Sequence, residues 1–175
     1  MIIELITFIV VILTIIFLLV SFGLTVLGYT PFLPTTKHAY EKILKHSGIK
    51  KDDIVYDIGA GDGRLIHYAE KRYGAKAIGF EINPFVYYWA RFKQIFFGWK
   101  GKIIQANMLK QDLSDADYIL CYMTPEIMTK FQNKFEGKLK KGAKILSYVF
   151  KVGTMKPFKM IPKDKKTSTL WIYKI

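Results

Sequence analysis

Asp57, Gly59, Gly61 and Gly63 stand at alternate positions across the end of an apolar run, DIVYDIGAG, and a second run, AKAIGFEI, carries Glu81 near its end. Alternate glycines let a backbone bend tightly and leave room for a ligand to come close. Helical spacing begins at Arg64, which puts the free N–H groups of a helix N-terminus beside the same bend. A dinucleotide fingerprint, G-x-G-x-x-G, needs its third glycine three places after the second. Here Gly63 follows Gly61 by two, and Arg64 holds the dinucleotide position. The Asp57 carboxylate attracts an ammonium or sulfonium and repels a pyrophosphate. Glu81 has two acceptor oxygens, enough for both hydroxyls of a ribose. S-adenosylmethionine, a sulfonium nucleoside without phosphate, suits this set.

The surrounding pattern alternates. TTKHAYEKILKHSG predicts a helix capped by Thr35 or Thr36, with Tyr40, Ile43 and Leu44 as its apolar face and Gly48 as its stop. The run ending at Asp57, then GRLIHYAEKRY, AKAIGFEI and PFVYYWARFKQIFF predict strand, helix, strand, helix. KIIQAN, ADYILCYMT and AKILSYVF predict three more strands, with EIMTKFQNKFEGKL as the helix between the last two. FKMIP and STLWIYKI suit a closing hairpin. Such alternation predicts a parallel α/β sheet with helices on both faces, whose ligands sit beyond the carboxyl ends of the strands. The 175 residues suit one globular domain. A lone cysteine, Cys121, excludes an internal disulfide framework.

Charge is placed unevenly. The formal net charge is +13, yet residues 2–27 hold a single charged side chain, Glu4. All 27 Lys and Arg and 13 of the 14 acids lie in residues 28–175. As a helix, residues 2–27 would reach roughly 39 Å against a hydrocarbon core of roughly 30 Å, which predicts a tilted transmembrane anchor. A buried core helix is rarely apolar all round. A cleaved signal peptide needs basic residues ahead of the run and an A-x-A-like site behind it. The Lys/Arg asymmetry predicts a single-pass protein with its C-terminal part on the cytoplasmic side, or the organellar equivalent. The expected organisation is an anchor over 1–28, a junction and lid segment over 29–50, and a ligand-binding domain over 51–175. The basic surface suits an anionic membrane. Its lysines are scattered, as in KLKKGAK and PKDKK, without interleaved stacking aromatics, which weighs against nucleic acid as a partner.

DIGAGDGR with FEINP resembles the seven-strand class I S-adenosylmethionine-dependent methyltransferases. The resemblance is closer to the membrane-anchored protein lysine methyltransferases that act on the ATP synthase c-ring or the adenine nucleotide translocase. These share an N-terminal hydrophobic segment, a PF-[VL]-P-x-T junction, D-[IL]-G-[SA]-G-D-G-R and G-[YF]-E-[LI]-N-P-[WF]. The corresponding stretches are PFLPTT (31–36), DIGAGDGR (57–64) and GFEINP (79–84). The resemblance implies a Rossmann-like methyltransferase sheet preceded by one transmembrane helix, with S-adenosylmethionine as cofactor and a lysine of a membrane-embedded protein as acceptor. It implies that Asp57, Gly59, Gly61 and Gly63 line the methionine end of the cofactor, Glu81 holds the ribose, and Asn83 and Pro84 shape the adenine side. Ala60, Asp62, Ile82 and Met108 complete the implied cofactor-binding set. Phe32, Pro34, Thr35 and Thr36 would form a lid over the cofactor and the lysine channel. Two positions depart from the family pattern. Asn107 replaces an Asp near the adenine amine, with a carbonyl able to accept the same bond. Thr124 replaces an apolar residue before Pro125, which bears on the shape of the acceptor channel.

A lysine must lose its proton before it accepts a methyl group, and burial lowers its pKa. A tight pocket therefore serves without a dedicated base. Tyr122 and Thr124 are the candidates to orient the amine, and Tyr122 and Pro125 to border the substrate. Nucleobase amino-methyltransferases often carry [DN]-P-P-[YF] where Tyr122-Met-Thr-Pro125-Glu126 stands here, which weighs against a nucleobase acceptor. His38, His46 and His67 lack ligand spacing, so no metal site is expected, and they are expected to be solvated or interfacial. Cys121 is expected to be buried and inert. The run Phe85, Tyr87, Tyr88, Trp89, Phe92, Phe96 and Phe97 is expected to be mostly core, with part of it able to rest on a bilayer. The expected activity is methylation of a protein lysine by a membrane-anchored enzyme. The alternatives are methylation of a small amine or lipid headgroup, and a non-catalytic tethered cofactor-binding or scaffold protein.

Overall fold

A computed structural model describes residues 2–26 and 33–175, with side chains in the first stretch at 2–12 and 14–16. The chain divides into two compact units, Met1–Pro31 and Phe32–Ile175. In the first, α1 runs over Ile2–Val26, and its described apolar side chains are exposed. Over the described residues no helix is long and apolar enough to cross a membrane. A helix is present where the anchor was expected; its passage through a bilayer finds no support in the described residues.

The second unit starts with α2, Lys37–Ser47, capped by Thr36, whose hydroxyl accepts from the Ala39 N–H, and ended by Gly48 in the left-handed conformation. Then come β1 (Ile54–Ile58), α3 (Arg64–Tyr73), β2 (Lys76–Glu81), α4 (Pro84–Phe97) and β3 (Lys102–Gln105). A one-turn 3-10 helix at Met108–Lys110 leads to β4 (Tyr118–Cys121), α5 (Pro125–Phe135), β5 (Lys144–Tyr148), β6 (Lys159–Ile161) and β7 (Leu170–Lys174). The seven strands lie in the order β3-β2-β1-β4-β5-β7-β6. The first five are parallel, and β7 is antiparallel to both neighbours. The short β6–β7 connection forces that reversal, because a parallel return needs a long crossover.

Strand alternation sorts two cores. Val55, Leu120, Leu146 and Ile172 pack with Leu44 of α2 and Leu65, Ile66 and Ala69 of α3 on one face. Tyr56, Ile58, Ile119, Cys121 and Ile145 pack with Met128, Phe131 and Phe135 of α5 on the other. Asp57 follows Tyr56 and so faces the α2–α3 side, as Tyr122 does after Cys121. Strand order reverses between β1 and β4, where the open ends of the strands make a crevice.

Two expectations are corrected. The aromatic run is not mostly core: Ala90 alone is buried in α4, while Phe85, Tyr88, Trp89, Phe92, Phe96 and Phe97 are exposed. Of the two alternatives for His67, solvated or interfacial, the solvated one fails. His67 is buried, stacks on Trp99 at 4.8 Å, and its Nδ1 accepts from the Lys100 N–H at 2.8 Å. Burial lowers its pKa, with Lys71 and Lys100 adding to the effect.

A close approach marks where the first turn meets the sheet. A Cβ on Gly79 would stand 2.4 Å from the Ala60 Cβ. Gly79→Ala should therefore push the turn off β2, at a cost of about 1–3 kcal/mol, read as a lower thermal midpoint together with weaker ligand binding.

Candidate active site

Between β1 and α3 the chain turns at Gly59, Gly61 and Gly63, whose φ values are 78°, 58° and 80°. Only glycine adopts this left-handed region without strain. The N–H groups of Gly59 and Ala60 both donate to the Phe80 carbonyl, at 2.9 and 3.0 Å. The Gly61 N–H donates to Glu81 Oε2 at 3.0 Å, and the Asn83 N–H to Glu81 Oε1 at 2.8 Å. One carboxylate thus fixes both the glycine turn and the entry to α4, where Asn83 Oδ1 accepts from the Phe85 and Val86 N–H groups. The Glu81 carboxylate keeps acceptor capacity for a ligand hydroxyl. Ile82 beside it is exposed.

Asp57, Asp62 and Glu81 are all buried, at 2%, 2% and 8% exposure. Asp62 is neutralised from within: Arg64 Nε donates to its Oδ1 at 2.8 Å, and Lys93 of α4 pairs with its Oδ2. Burial pushes the Asp62 carboxyl up, but hydrogen bonds and charge from Arg64 and Lys93 outweigh it and hold the pKa below the usual value. Arg64 also donates to the Thr35 carbonyl, tying the junction to the turn. Asp57 has no such partner among the described residues. Burial pushes its pKa up to about 8, and the charges of Glu81 and Asp62 act in the same direction. Burial also raises Glu81, against the pull of the Asn83, Gly61 and Ile82 backbone. A buried carboxylate without a cation, next to one with spare acceptor capacity, fits a ligand bearing positive charge and hydroxyls. It does not fit a pyrophosphate.

A cavity of about 410 Å³ lies beyond the ends of β4 and β5, walled by Pro34, Thr35, Thr36, Tyr122, Tyr148 and the stretch 163–168. Tyr122 and Tyr148 meet edge to face at 5.4 Å. Lys42, buried on α2, pins the far wall: its Nζ donates to the Pro162 carbonyl at 2.6 Å, Thr167 Oγ1 at 2.9 Å and the Ser168 carbonyl at 2.8 Å. The remaining expected residues are dispersed. Pro125 borders a different depression with Thr129 and Gln132. Thr124 sits at the α5 N-cap without a side-chain cap bond. Asn107 Oδ1 already accepts from the Leu109 N–H at 2.9 Å, and Met108 is buried in the α5-side core. Phe32 lies outside the described residues. Lys93, Lys42 and Tyr148 were not singled out from the sequence, and Arg64 was read there only for its spacing. Lysines and arginines are plentiful, and nothing local marks the few that turn inward.

A sheet of this order, with a glycine turn and two carboxylates at the ends of adjoining strands, defines an S-adenosylmethionine-dependent methyltransferase of Rossmann-like fold. The profile of the ANTKMT methyltransferase domain matches residues 57–159, and the chain belongs to that family. A protein-lysine N-methyltransferase of Saccharolobus islandicus (strain REY15A) is 27% identical over 157 residues, covering 84% of this chain and 94% of that protein. A lysine N-methyltransferase of Rattus norvegicus, named for ATP synthase, is 28% identical over 149 residues, 82% of this chain, which spans 65% of that relative's length. Among solved structures, an RNA methyltransferase from Salinibacter ruber in complex with S-adenosyl-L-homocysteine matches with a TM-score of 0.75 at 26% identity, over 82% of this chain and 94% of that one.

Proposed function

We propose that this enzyme methylates a lysine side chain of a protein at a membrane. The observation that carries the reading is the cavity at the β4 and β5 ends, a hydroxyl- and aromatic-walled space of about 410 Å³. Its Tyr122 wall shares a sheet face with Asp57. The relative from Saccharolobus islandicus, named a protein-lysine N-methyltransferase, supports the acceptor class.

S-adenosylmethionine, when bound, supplies an activated methyl group on a sulfonium. Asp57 would hold its positive charge, with Gly59, Ala60, Gly61 and Gly63 forming the backbone floor. Glu81 would take the ribose hydroxyls, and Ile82, Asn83, Asn107 and Met108 would border the adenine. Asp62 would hold the loop in shape rather than touch the ligand. Pro34, Thr35 and Thr36 would cover the cavity, and Tyr122 with Tyr148 would align the amine. Desolvation between those rings lowers the ammonium pKa, so no dedicated base is required. Alignment in a dry channel then does the rest.

The composition of α1, 25 residues with Glu4 as their one charge, supports the membrane part of this reading. As a helix, α1 has a length of about 37 Å, against a hydrocarbon core of about 30 Å. The lysines and arginines that follow it would keep the enzyme domain on the cytoplasmic side. Tethering would raise the effective concentration of a membrane-embedded acceptor.

The full chain, solubilised in detergent, should transfer labelled methyl groups from S-adenosylmethionine to a protease-sensitive band in host membranes. Acid hydrolysis should release the label as methyl-lysine. Label confined to lipid would favour the headgroup alternative, and label confined to RNA an activity like that named for the Salinibacter ruber neighbour.

A further inference from the structure

One face of α4 is unpartnered in a particular way. Phe85, Tyr88, Trp89, Phe92 and Phe96 recur at i, i+3, i+4, i+7 and i+11, one stripe of a helix. Their exposures are 62%, 66%, 48%, 38% and 68%. Ala90, on the opposite side, is the buried residue that meets the sheet. The stripe is ordered within itself: Trp89 stacks on Phe92 at 5.4 Å, and Phe92 meets Phe96 at 4.3 Å.

We infer that this aromatic stripe of α4 lies on a lipid bilayer, as an interfacial contact additional to α1. Charge picks the occupant. From Ile82 to Gln111 the chain has no acid, while Arg91, Lys93, Lys100, Lys102 and Lys110 are basic. Arg91, Lys100, Lys102 and Lys110 are exposed. Aromatic residues flanked by free cations match the headgroup region of an anionic membrane. The stripe is also convex, a helix surface rather than a groove, which a fluid interface covers without a complementary shape. The inference rests on the proposal that the enzyme works at a membrane. Contact through α4 would orient the enzyme on the bilayer rather than leave it swinging on its tether.

Single labels read this out, because the sole cysteine, Cys121, is buried. The full chain would carry an environment-sensitive fluorophore at Tyr88→Cys, at Ile9→Cys in α1 or at Lys134→Cys on α5. Each variant goes into nanodiscs of anionic lipid containing a nitroxide quencher near the headgroups, with S-adenosylmethionine binding as the check on folding. The label at 88 should be quenched at least about twofold more than the label at 134, with less quenching in zwitterionic lipid. Quenching at 9 but not at 88 overturns the α4 contact and leaves the anchor standing. Quenching at neither position overturns both. Quenching at 88 but not at 9 supports the contact and removes the anchor. A blue shift at 88 that grows with protein concentration and ignores the nitroxide points to a second copy and overturns the inference.

Discussion

Asparagine at position 57 should weaken S-adenosylmethionine binding by about 10- to 150-fold, the equivalent of roughly 1.5–3 kcal/mol for a hydrogen bond to a charged group. The same change should stabilise the ligand-free protein, because burying Asp57 without a described cation obliges it to take up a proton on folding, a cost that an amide does not carry. The pH dependence carries a definite sign. Asp57 has its pKa raised from 3.8 to about 8 by burial, Glu81 and Asp62. Between those values the folded chain keeps a proton that the unfolded chain releases, so ligand-free stability falls as pH rises from about 4 to 8 and levels off above. A cationic ligand favours the carboxylate, so binding near neutral pH should expel a proton, and affinity should climb as pH approaches 8. Calorimetry in buffers of different ionisation heat measures the proton. Thermal melts from pH 5 to 9 measure the stability, and Asp57→Asn should flatten both profiles. Wild-type affinity in the variant would remove Asp57 from the site.

Asp62→Ala should be the most damaging substitution to the fold. It strips Arg64 and Lys93 of their shared partner and leaves two partly buried cations side by side. Breaking a buried pair of this kind costs about 3–5 kcal/mol, or roughly 10 °C in thermal midpoint for a domain of this size. The Arg64 link to Thr35 should loosen with it, so the cavity wall at residues 34–36 should exchange amide hydrogens faster. The native Asp62 contribution is present above pH 4 and is lost as pH falls through its depressed pKa. A midpoint change within about 2 °C would show that the pair is a surface one.

These two carboxylates look alike in DIGAGDGR, and the sequence reading assigned both to the cofactor. Their separation came from Lys93 on α4, 31 residues from Asp62, and from Arg64, which is itself tied to Thr35 in the junction. Glu81 was read from its place at the end of a strand as the group proposed to take the ribose hydroxyls. Its acceptance of the Gly61 and Asn83 N–H groups was not legible, and Glu81→Ala would remove that turn support. Strand and helix types were read well because each rests on local periodicity. On the acceptor side Pro34, Thr35, Thr36 and Tyr122 were named from the sequence, but they share a cavity with Tyr148 and residues 163–168 only after the sheet is assembled.

The amino-acid sequence alone determined the alternation of strands and helices, the left-handed glycine turn and the acids at the ends of two strands. Each follows from side-chain size, backbone freedom or charge within a few neighbours. Tertiary structure alone decided which charges are neutralised, that Lys42 and His67 turn inward, and that the aromatic face of α4 turns outward. An apolar stripe has the same period whether it meets a core or a membrane, and a lysine has the same formula whether water or three carbonyl and hydroxyl oxygens surround it. Packing partners distant in the chain make that choice.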